Sequence, residues 1–439
     1  MGPLNFQGGV GMSNSGNPGS GGLLGFYFRS SLVVRILLAT VLGAGAGLLV
    51  GPEMAAIKPL GDLLIRLLKM IVIPVVFFSL VVGASSVTPS KLGTVGVKVV
   101  GYYMLTSAVA VAIGLGVGNL FKPGAGLDLP AEGAVDITAK APSLVETLLN
   151  IVPDNPVAAM VNGTMLQIIF FALLFGIALS VLMSSSDERL KSSGEAMFRI
   201  CDGGAEAMYK ITKWAMEYAP IGVFALMATA FGQQGAKAAG PLGMTIMAMY
   251  LAFLIHFVVV YGISLKLVGL GLPWFVRNAK DAMLTAFVTR SSSATLPVSM
   301  EAAEEMGAPK GIYSFSLPLG ATINMNGTAI YQGICVLFVA NCIGQNLTIS
   351  QQLMVILSAT LAAIGTAGVP GSGAIMLLMV LNSAGISLTG GAAAAYGMIL
   401  GIDAIMDMGR TLLNVTGDIV GTVMVAKAEG ELDQSRWKG

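Results

Sequence analysis

The residues best suited to chemistry lie on one stretch near the end of the chain, GIDAIMDMGRTLLNVTGDIVG, which begins at Gly401. Six of its polar side chains lie at offsets 0, 4, 7, 8, 11 and 15 from the first of them: Asp403, Asp407, Arg410, Thr411, Asn414 and Asp418. On a helix with about 100° between residues, these offsets fall within one stripe of roughly 100°. The stripe has three carboxylates and one guanidinium, so an ammonium group and bound metal cations would balance its excess negative charge.

Arg410 adds a second kind of recognition, because its planar guanidinium can bind a carboxylate at two points. One helix face therefore offers an ammonium acceptor, a carboxylate clamp and hard oxygen ligands for a small cation. A buried ion-pair network that only locks two helices together is the competing interpretation. The surplus of carboxylates and the amide of Asn414 make that interpretation the weaker one, and we expect the stripe to face a water-accessible pocket.

The composition indicates which elements must position this stripe. Of 439 residues, 55% are hydrophobic and only 11% are charged, against about 25% charged in soluble domains. Apolar runs of about 20 residues recur and are continuous rather than alternating, which indicates membrane-spanning helices in a lipid bilayer. An ionised side chain there costs about 2.5–3.5 kcal/mol even on a lenient scale, so the charged stripe must face a cavity or other charges.

The first half of the chain contains apolar runs that are long enough to cross a membrane. They lie near residues 31–50, 60–84, 95–120, 156–183, 205–231 and 241–271. Lysines and arginines follow the second, fourth and sixth runs, whereas the loop after the third is acidic, so the positive-inside rule predicts cytoplasmic termini. We expect a disordered leader and linker at residues 1–25 and a region of six transmembrane helices at residues 26–271. Residues 429–439 are expected to form a cytoplasmic tail.

After residue 272 the apolar segments become short and are broken by small, turn-forming residues. The breaks are SSSATLP from Ser291 and GTAGVPGSG from Gly365. Each predicts a re-entrant helical hairpin whose tip unwinds within the protein, followed by a longer helix. The first and second hairpins are expected over 273–307 and 350–387, and the helices that follow them over 309–343 and 391–427. Interrupted segments at matching positions indicate a transporter binding site near the bilayer midplane; Gly-kinked spanning helices are the alternative.

The helix before the second hairpin has its own polar cluster, GATINMNGTAIYQG, with Thr322, Asn324, Asn326 and Thr328 among small residues. This cluster indicates unwound backbone whose carbonyls can coordinate ions, with hydrogen bonding between helices as the alternative. The motifs TRSSSATLP, NMNGT, GTAGVPGSG and DAIMDMGRTLLNVTGD, in this order, resemble those of the glutamate transporter family, the dicarboxylate and amino acid:cation symporters. The resemblance extends over residues 30–428.

This resemblance implies an all-α polytopic membrane protein with eight transmembrane helices plus two re-entrant hairpins, arranged as inverted repeats. It implies a homotrimer whose scaffold comes mainly from helices 1, 2, 4 and 5. Helices 3 and 6 would join the core of residues 272–428 in a transport domain that moves like an elevator. The short linker of residues 121–150 is similar to that of prokaryotic members, which places the protein in a prokaryotic plasma membrane. The expected function is sodium-coupled symport of an acidic amino acid, aspartate or possibly glutamate.

By the family pattern, the substrate lies between the two hairpin tips. Asp407 would bind its amino group, Asn414 its backbone carboxylate, and Arg410 with Thr328 its side-chain carboxylate. The further substrate contacts implied by the resemblance are Arg290, Ser291, Ser292, Ser293, Gly368, Val369, Gly373 and Thr411. Asp403 is expected beside this site without an assigned role. Members that transport neutral amino acids lack the arginine, so Arg410 favours aspartate or glutamate.

The resemblance also implies sodium as the coupled ion. The expected ligands are Gly320, Asn324, Asn414 and Asp418 at a first site, Thr322, Ile364 and Thr366 at a second, and Tyr103, Thr106, Ser107, Asn324 and Asn326 at a third. Asn326 stands where the family usually has aspartate, so we expect a weakened or lost third site, because hard cations favour carboxylate oxygen. Gln332 is neutral where animal members have a titratable glutamate, so proton transport by that route is not expected.

Other function classes fit the residues less well. An intramembrane hydrolase would need a dyad of Asp403 and Asp407, but Arg410 in the same stripe would keep both ionised. The serines of the first break lack a base, since the single histidine, His256, lies in an apolar run. A net charge of +1 without a basic stripe gives no reason to expect nucleic acid binding. A substrate-gated channel and a proton-coupled dicarboxylate symporter stay open as alternatives.

Overall fold

The computed structural model describes residues 30–85, 94–127, 129, 149, 151–363, 366, 368 and 370–437. Every regular element assigned within these ranges is a helix, which confirms the predicted all-α class. The predicted leader at 1–25 and the expected site residues Ile364 and Val369 lie outside the described residues.

The described part of the first half contains helices that match the predicted apolar runs. They are α1 (Leu32–Val50), α2 (Lys58–Ser85), α3 (Thr94–Phe121), α4 (Pro156–Asn162), α5 (Met165–Met183), α6 (Glu188–Gln234), α7 (Ala239–Ile255) and α8 (Gly262–Leu267). The run at 156–183 is divided, because Gly163 adopts a left-handed conformation that ends α4. α6 begins earlier than the run at 205–231, because Asp187 caps additional polar turns at its N-terminus.

The second half contains two broken segments at the predicted positions, and only the second is followed by a longer continuous helix. Its helices are α9 (Leu272–Thr289), α10 (Ser292–Glu305), α11 (Lys310–Ile323), α12 (Asn326–Cys342), α13 (Ile349–Ala363), α14 (Ser372–Ser383) and α15 (Gly390–Ala428). The helix predicted over 309–343 is interrupted, because Asn324 and Met325 leave the helical conformation between α11 and α12. The final helix, α15, is continuous.

Several helical stretches are long and apolar enough to cross a membrane. They are Leu32–Ser85, Val95–Phe121, Glu188–Leu267, Lys310–Cys342 and Gly390–Ala428. The first contains both α1 and α2, and the third contains α6 to α8, so one stretch can include more than one crossing. The chain is a multi-pass membrane protein, whereas the eight spanning helices, the re-entrant hairpins and the division into scaffold and transport domains stay predictions.

The two helices with the polar motifs are deeply buried. All residues of α12 except Asn341 are buried, and α12 packs against α3, α7, α14 and α15. α15 also packs against α9 and α11. Polar atoms on these helices are therefore cut off from water and need partners from the protein or from a ligand.

The residues after α15 return to the C-terminal end of α10 and the loop that follows it. The Asp433 amide donates a hydrogen bond to the Gly307 carbonyl over 2.9 Å, and Arg436 Nη1 donates to the Glu304 carbonyl over 2.7 Å. Gly307 has a φ of +88°, and a Cβ there would lie 2.3 Å from the Asp433 carbonyl oxygen. The tail thus lies against the loop between α10 and α11.

Close packing of α1 on α6 gives a prediction about stability. A Cβ on Gly47 would lie 2.4 Å from the Ala228 carbonyl oxygen and 2.8 Å from the Gly232 amide nitrogen. We expect Gly47→Ala to destabilise the fold by about 1–3 kcal/mol, because the two helices would have to separate. The matched change Gly45→Ala meets nothing within 4 Å and should be neutral or mildly stabilising, since alanine favours helix. Thermal unfolding in detergent measures both, and equal midpoints would contradict the close approach.

Candidate functional site

The two interrupted segments contact each other at their breaks. Arg290 ends α9 in a left-handed conformation with φ of +54°, and Ser291 caps α10 by accepting a hydrogen bond from the Ala294 amide over 3.1 Å. The Ser291 hydroxyl donates to the Gly368 carbonyl over 2.7 Å, and the Ser293 amide donates to the same oxygen over 3.3 Å. Gly368 belongs to the break between α13 and α14, so the two interrupted segments are joined by hydrogen bonds.

Arg410 is the most enclosed charged group of the polar stripe, with 2% of its surface exposed. Its Nη2 and Nε donate to Asp407 Oδ1 over 2.7 and 3.1 Å, and its Nη1 donates to Asp403 Oδ1 over 3.3 Å. The guanidinium carbon lies 4.4 Å from the ring centroid of Tyr331, which adds a cation–π attraction. The expected clamp for a ligand carboxylate is therefore bound to the carboxylates of its own helix.

Asp407 keeps one oxygen without a hydrogen bond. Its Oδ1 also accepts from the Thr411 hydroxyl over 3.3 Å, whereas its Oδ2 is buried with no hydrogen-bond partner and has Arg290 Nη1 at 3.5 Å. An unsatisfied buried acceptor is costly, and a ligand ammonium group would satisfy it. The cluster of Asp403, Asp407, Arg290 and Arg410 has equal numbers of positive and negative groups.

Asn414 connects α15 to the break between α11 and α12. Its Oδ1 accepts from the amides of Gly327 and Thr328 over 2.7 and 3.4 Å. Its Nδ2 donates to Thr328 Oγ1 over 3.3 Å and contacts Met325 Sδ at 3.1 Å. These amides lie at the start of α12, where the helix has no internal acceptors for them. Asn414 therefore caps α12, and a ligand carboxylate would share its Nδ2 with Thr328.

The expected pocket lies between the two tips but is small. Its volume is about 10 Å³, which is room for about one water molecule. Its lining consists of Arg290, Ser292, Met325, Thr328, Gly368, Ser372, Asp407, Arg410, Thr411 and Asn414. A Cβ on Gly373 would lie 2.4 Å from Arg410 Nη1, so this predicted contact adjoins the pocket. An amino acid fits only if Arg410 leaves Asp407 and the tips separate.

Two pocket residues, Met325 and Ser372, escaped sequence reasoning. Met325 looks like an apolar packing residue, and only its place in the NMNGT motif could have indicated a role. Asp403 was expected beside the pocket, and it lies with Arg290 in a second cavity of about 20 Å³. Residues of α1, α2 and α6 form the other side of that cavity. Asp403 therefore lies between the pocket and the helices predicted to form the scaffold.

The first expected cation site has an incomplete set of oxygen ligands. Asn324 Nδ2 donates to Asp418 Oδ1 over 2.9 Å, while Asn324 Oδ1 is buried without a hydrogen-bond partner. A Cβ on Gly320 would lie 2.6 Å from Asp418 Oδ1, so the backbone of α11 comes close to the carboxylate. No lysine or arginine of the described residues pairs with Asp418. These oxygens fit a small hard cation.

The ligands available for any cation in this region are mainly carbonyl and amide oxygens. Across the described ranges, no group of three or more His, Cys, Asp or Glu side chains could hold a metal ion. At the second expected site, Thr322 and Thr366 line one cavity. Their hydroxyls donate to the Leu319 and Ala362 carbonyls over 2.8 and 2.6 Å, which leaves the lone pairs of both hydroxyl oxygens for an ion.

At the third expected site, Asn326 is hydrogen bonded on both sides of its amide. The Ser107 hydroxyl donates to Asn326 Oδ1 over 2.8 Å, and Asn326 Nδ2 donates to the Tyr261 hydroxyl over 2.9 Å. Tyr261 ends a π-helical turn, His256–Tyr261, and donates to the Leu413 carbonyl over 3.0 Å. The sequence did not indicate Tyr261, because a tyrosine in an apolar run usually serves packing.

Tyr103 and Thr106 lie in the same helix as Ser107. The Tyr103 hydroxyl donates to the Ser316 and Asp418 carbonyls over 3.2 and 3.3 Å. The Thr106 hydroxyl donates to the Tyr102 carbonyl over 2.9 Å. The structure thus places the residues expected for the third site near those of the first, with neutral hydrogen bonds at Asn326 where the family pattern has a carboxylate.

Comparison with known proteins gives consistent matches over nearly the whole chain. The profile of the sodium:dicarboxylate symporter family matches residues 32–428. The proton/glutamate-aspartate symporter of Escherichia coli is 37% identical over 427 residues, which cover 93% of this chain and 95% of that protein. The proton/sodium-glutamate symport protein of Bacillus caldotenax is 35% identical, over 93% of this chain and 97% of that protein. The C4-dicarboxylate transport protein of Bacillus subtilis is 34% identical, over 92% of this chain and 95% of that protein.

Proposed function

Since the chain belongs to the sodium:dicarboxylate symporter family, we propose that it is a secondary active transporter that carries an acidic amino acid, aspartate or glutamate, together with sodium. Members of this family are symporters, so the chain is a membrane transporter and not an enzyme. The names of its relatives include glutamate, aspartate and C4-dicarboxylates as cargo, with protons or sodium as coupled ions. The choice among these rests on the geometry of the site.

The unsatisfied Oδ2 of Asp407 carries the argument for an amino acid. It is buried beside Arg410 and Arg290, so a ligand with both an ammonium group and a side-chain carboxylate can pair with both charge types. A C4-dicarboxylate could take the place of Asp407 at Arg410, but it would leave Asp407 Oδ2 without a donor. Because each unmet buried polar group costs about 1–3 kcal/mol, aspartate is favoured over succinate.

Sodium coupling is supported by the oxygen-rich surroundings of Asp418. The buried carboxylate, the orphaned Asn324 Oδ1 and the nearby backbone of Gly320 form a set of hard ligands that suits a small cation. The carbonyls near Thr322 and Thr366 would form the second site. Asn326 weakens the third, because its amide is already engaged by Ser107 and Tyr261 and has no charge.

Movement by an elevator mechanism, a homotrimeric state, a prokaryotic plasma membrane and cytoplasmic termini are parts of the same proposal. One contact that such a movement would break is the hydrogen bond from Lys69 Nζ on α2 to the Leu388 carbonyl after the second hairpin, over 2.6 Å. It joins a helix assigned to the scaffold with the segment assigned to the transport domain.

Counterflow in proteoliposomes tests the proposed function. With unlabelled aspartate inside, we expect labelled aspartate to accumulate in the presence of sodium and not in choline. A tenfold excess of external succinate should leave this accumulation nearly unchanged, whereas glutamate should reduce it. Accumulation driven by a proton gradient without sodium would favour the proton-coupled alternative, and flux without trans-stimulation would favour the channel.

A further inference from the structure

Two buried hydroxyls join α11 to α15 at a place that the proposed function does not use. Ser316 Oγ and Thr422 Oγ1 lie 2.7 Å apart, and both residues have 0% of their surface exposed. Thr422 Oγ1 also donates to the Asp418 carbonyl over 2.8 Å. Because a hydroxyl has only one proton, the Ser316 hydroxyl must donate to Thr422. The two side chains thus form a chain of hydrogen bonds that ends on the backbone of Asp418.

This chain of hydrogen bonds lies one helical turn from the first expected cation site. Ser316 lies four residues before Gly320 on α11. Thr422 lies four residues after Asp418 on α15, and residues four apart share one face of a helix. The two helices meet again at Gly320, where a Cβ would lie 2.6 Å from Asp418 Oδ1. The hydroxyl pair and the Gly320 contact are therefore successive contacts between α11 and α15, about 6 Å apart at 1.5 Å per residue.

Tyr103 of α3 adds a third helix to the same arrangement. Its hydroxyl lies within hydrogen-bond distance of both the Ser316 and the Asp418 carbonyls, so α11 and α15 share its one proton. Its ring packs so closely on Gly421 of α15 that a Cβ there would overlap it. These hydroxyls hold Asp418 by its backbone carbonyl and leave its carboxylate for other partners.

The spacing between α11 and α15 matters for any ion that binds beside Asp418. The expected ligands Gly320 and Asn324 belong to α11 or its end, whereas Asp418 belongs to α15. A functional site requires its groups to be held within about 0.5 Å of the productive geometry. A change in the distance between these two helices would therefore weaken the site, even if every ligand were still present.

We propose that Ser316 and Thr422 are positioning residues that set the affinity of the first cation site for sodium, because their hydrogen bond fixes the distance between the Gly320 backbone and the Asp418 carboxylate. The proposal rests on the sodium coupling proposed above. It gives a function to two residues that belong neither to the expected cation ligands nor to the lining of the substrate pocket. Their effect on aspartate is therefore indirect and depends on how much of the site sodium occupies.

Aspartate affinity at limiting and at saturating sodium tests this function, with choline chloride to keep the ionic strength constant. Thr422→Val removes the hydroxyl but keeps the shape of the side chain. We expect aspartate affinity at limiting sodium to fall about fivefold, the effect of losing one neutral hydrogen bond. At saturating sodium the affinity should equal that of the parent chain, because an occupied site no longer depends on its affinity for the ion.

Thr416→Val is the matched control. Thr416 is also a threonine of α15 with 0% exposure, and its hydroxyl donates to the carbonyl four residues earlier over 2.7 Å. It should leave aspartate affinity unchanged at both sodium concentrations. Thr422→Ser retains the hydroxyl and should behave like the parent chain. Ser316→Ala should weaken binding at limiting sodium, and combining it with Thr422→Val should add little, because the two changes remove the same bond.

The melting temperature in sodium-free buffer separates positioning from a purely structural role. Both valine variants should lower it, since each loses a buried hydrogen bond, but only Thr422→Val should alter the dependence on sodium. An equal loss of affinity at both sodium concentrations, or the same sodium-dependent loss in Thr416→Val, would overturn the positioning role. If the parent chain binds aspartate with a sodium dependence that Thr422→Val leaves intact, this role alone is rejected. Sodium-independent binding by the parent chain would reject the sodium coupling and this role together.

Discussion

Arg410→Ala is expected to abolish the binding and uptake of aspartate. The guanidinium is the only group of the described pocket lining, apart from Arg290, that has a full positive charge for a side-chain carboxylate. Two charge-assisted hydrogen bonds of about 1.5–3 kcal/mol each would be lost, which corresponds to a decrease in affinity of at least about a hundredfold. Isothermal titration with aspartate in saturating sodium measures the loss, and an unchanged affinity would refute the clamp.

The folded state of this variant needs its own control, because Arg410 also pairs with Asp403 and Asp407. Removing one partner of a buried ion cluster can cost about 3–5 kcal/mol, so we expect a folded protein with a lower melting temperature. Arg410→Lys retains the charge but not the planar fork. It should restore most of the stability while leaving aspartate binding at least about tenfold weaker. Full binding by the lysine variant would show that charge alone is sufficient.

The sequence predicted the polar stripe well, because helical periodicity depends only on local backbone geometry. Asp407, Arg410, Thr411 and Asn414 all line one pocket, as their offsets of 0, 3, 4 and 7 require. Periodicity could not predict that Arg410 binds Asp407 and Asp403 and leaves little free volume. That result depends on the rotamers of these three side chains, which are set by the packing of other helices.

The hairpin breaks were also readable from the sequence, since glycine, proline and serine runs disfavour continuous helix. Their mutual contact was not, because the hydrogen bonds from Ser291 and Ser293 to Gly368 join positions 77 and 75 residues apart. Tyr261 was missed for the same reason, because its partner is also distant in sequence. Tyr261 reaches Asn326 across 65 positions of sequence, and nothing in its apolar surroundings indicates a polar partner.

The sequence located the break in the predicted helix over 309–343, but it did not indicate what stabilises that break. The polar cluster indicated unwound backbone, and Asn324 and Met325 are non-helical. The sequence could not indicate that Asn414 of α15 would cap the new helix start through the Gly327 amide, over 2.7 Å. Asn414, which is expected to bind the backbone carboxylate of the substrate, therefore also stabilises the fold. The substrate must bind without breaking the cap that Asn414 forms on α12.

The neutral third site leads to the second prediction with a large effect, Asn326→Asp. The aspartate would place a carboxylate, with 0% exposure at this position, where Asn326 Nδ2 now donates to the Tyr261 hydroxyl. Tyr261 would have to turn its own proton away from the Leu413 carbonyl to satisfy it. Without a cation, a buried charge that lacks a partner costs several kcal/mol, so we expect a clearly lower melting temperature in sodium-free buffer.

Sodium should reverse this loss, because the new carboxylate, Asn324 and the carbonyls of α3 would form a hard-ligand site for one more ion. When aspartate affinity is measured over a range of sodium concentrations, its dependence on sodium should therefore have a steeper Hill slope in Asn326→Asp than in the parent chain. Asn119→Asp, an added carboxylate at an exposed position of α3, controls for charge alone and should leave the slope unchanged. Identical slopes for the Asn326 variant and the parent would mean that the amide and the carboxylate coordinate equally, and the idea of a weakened third site would have to be given up.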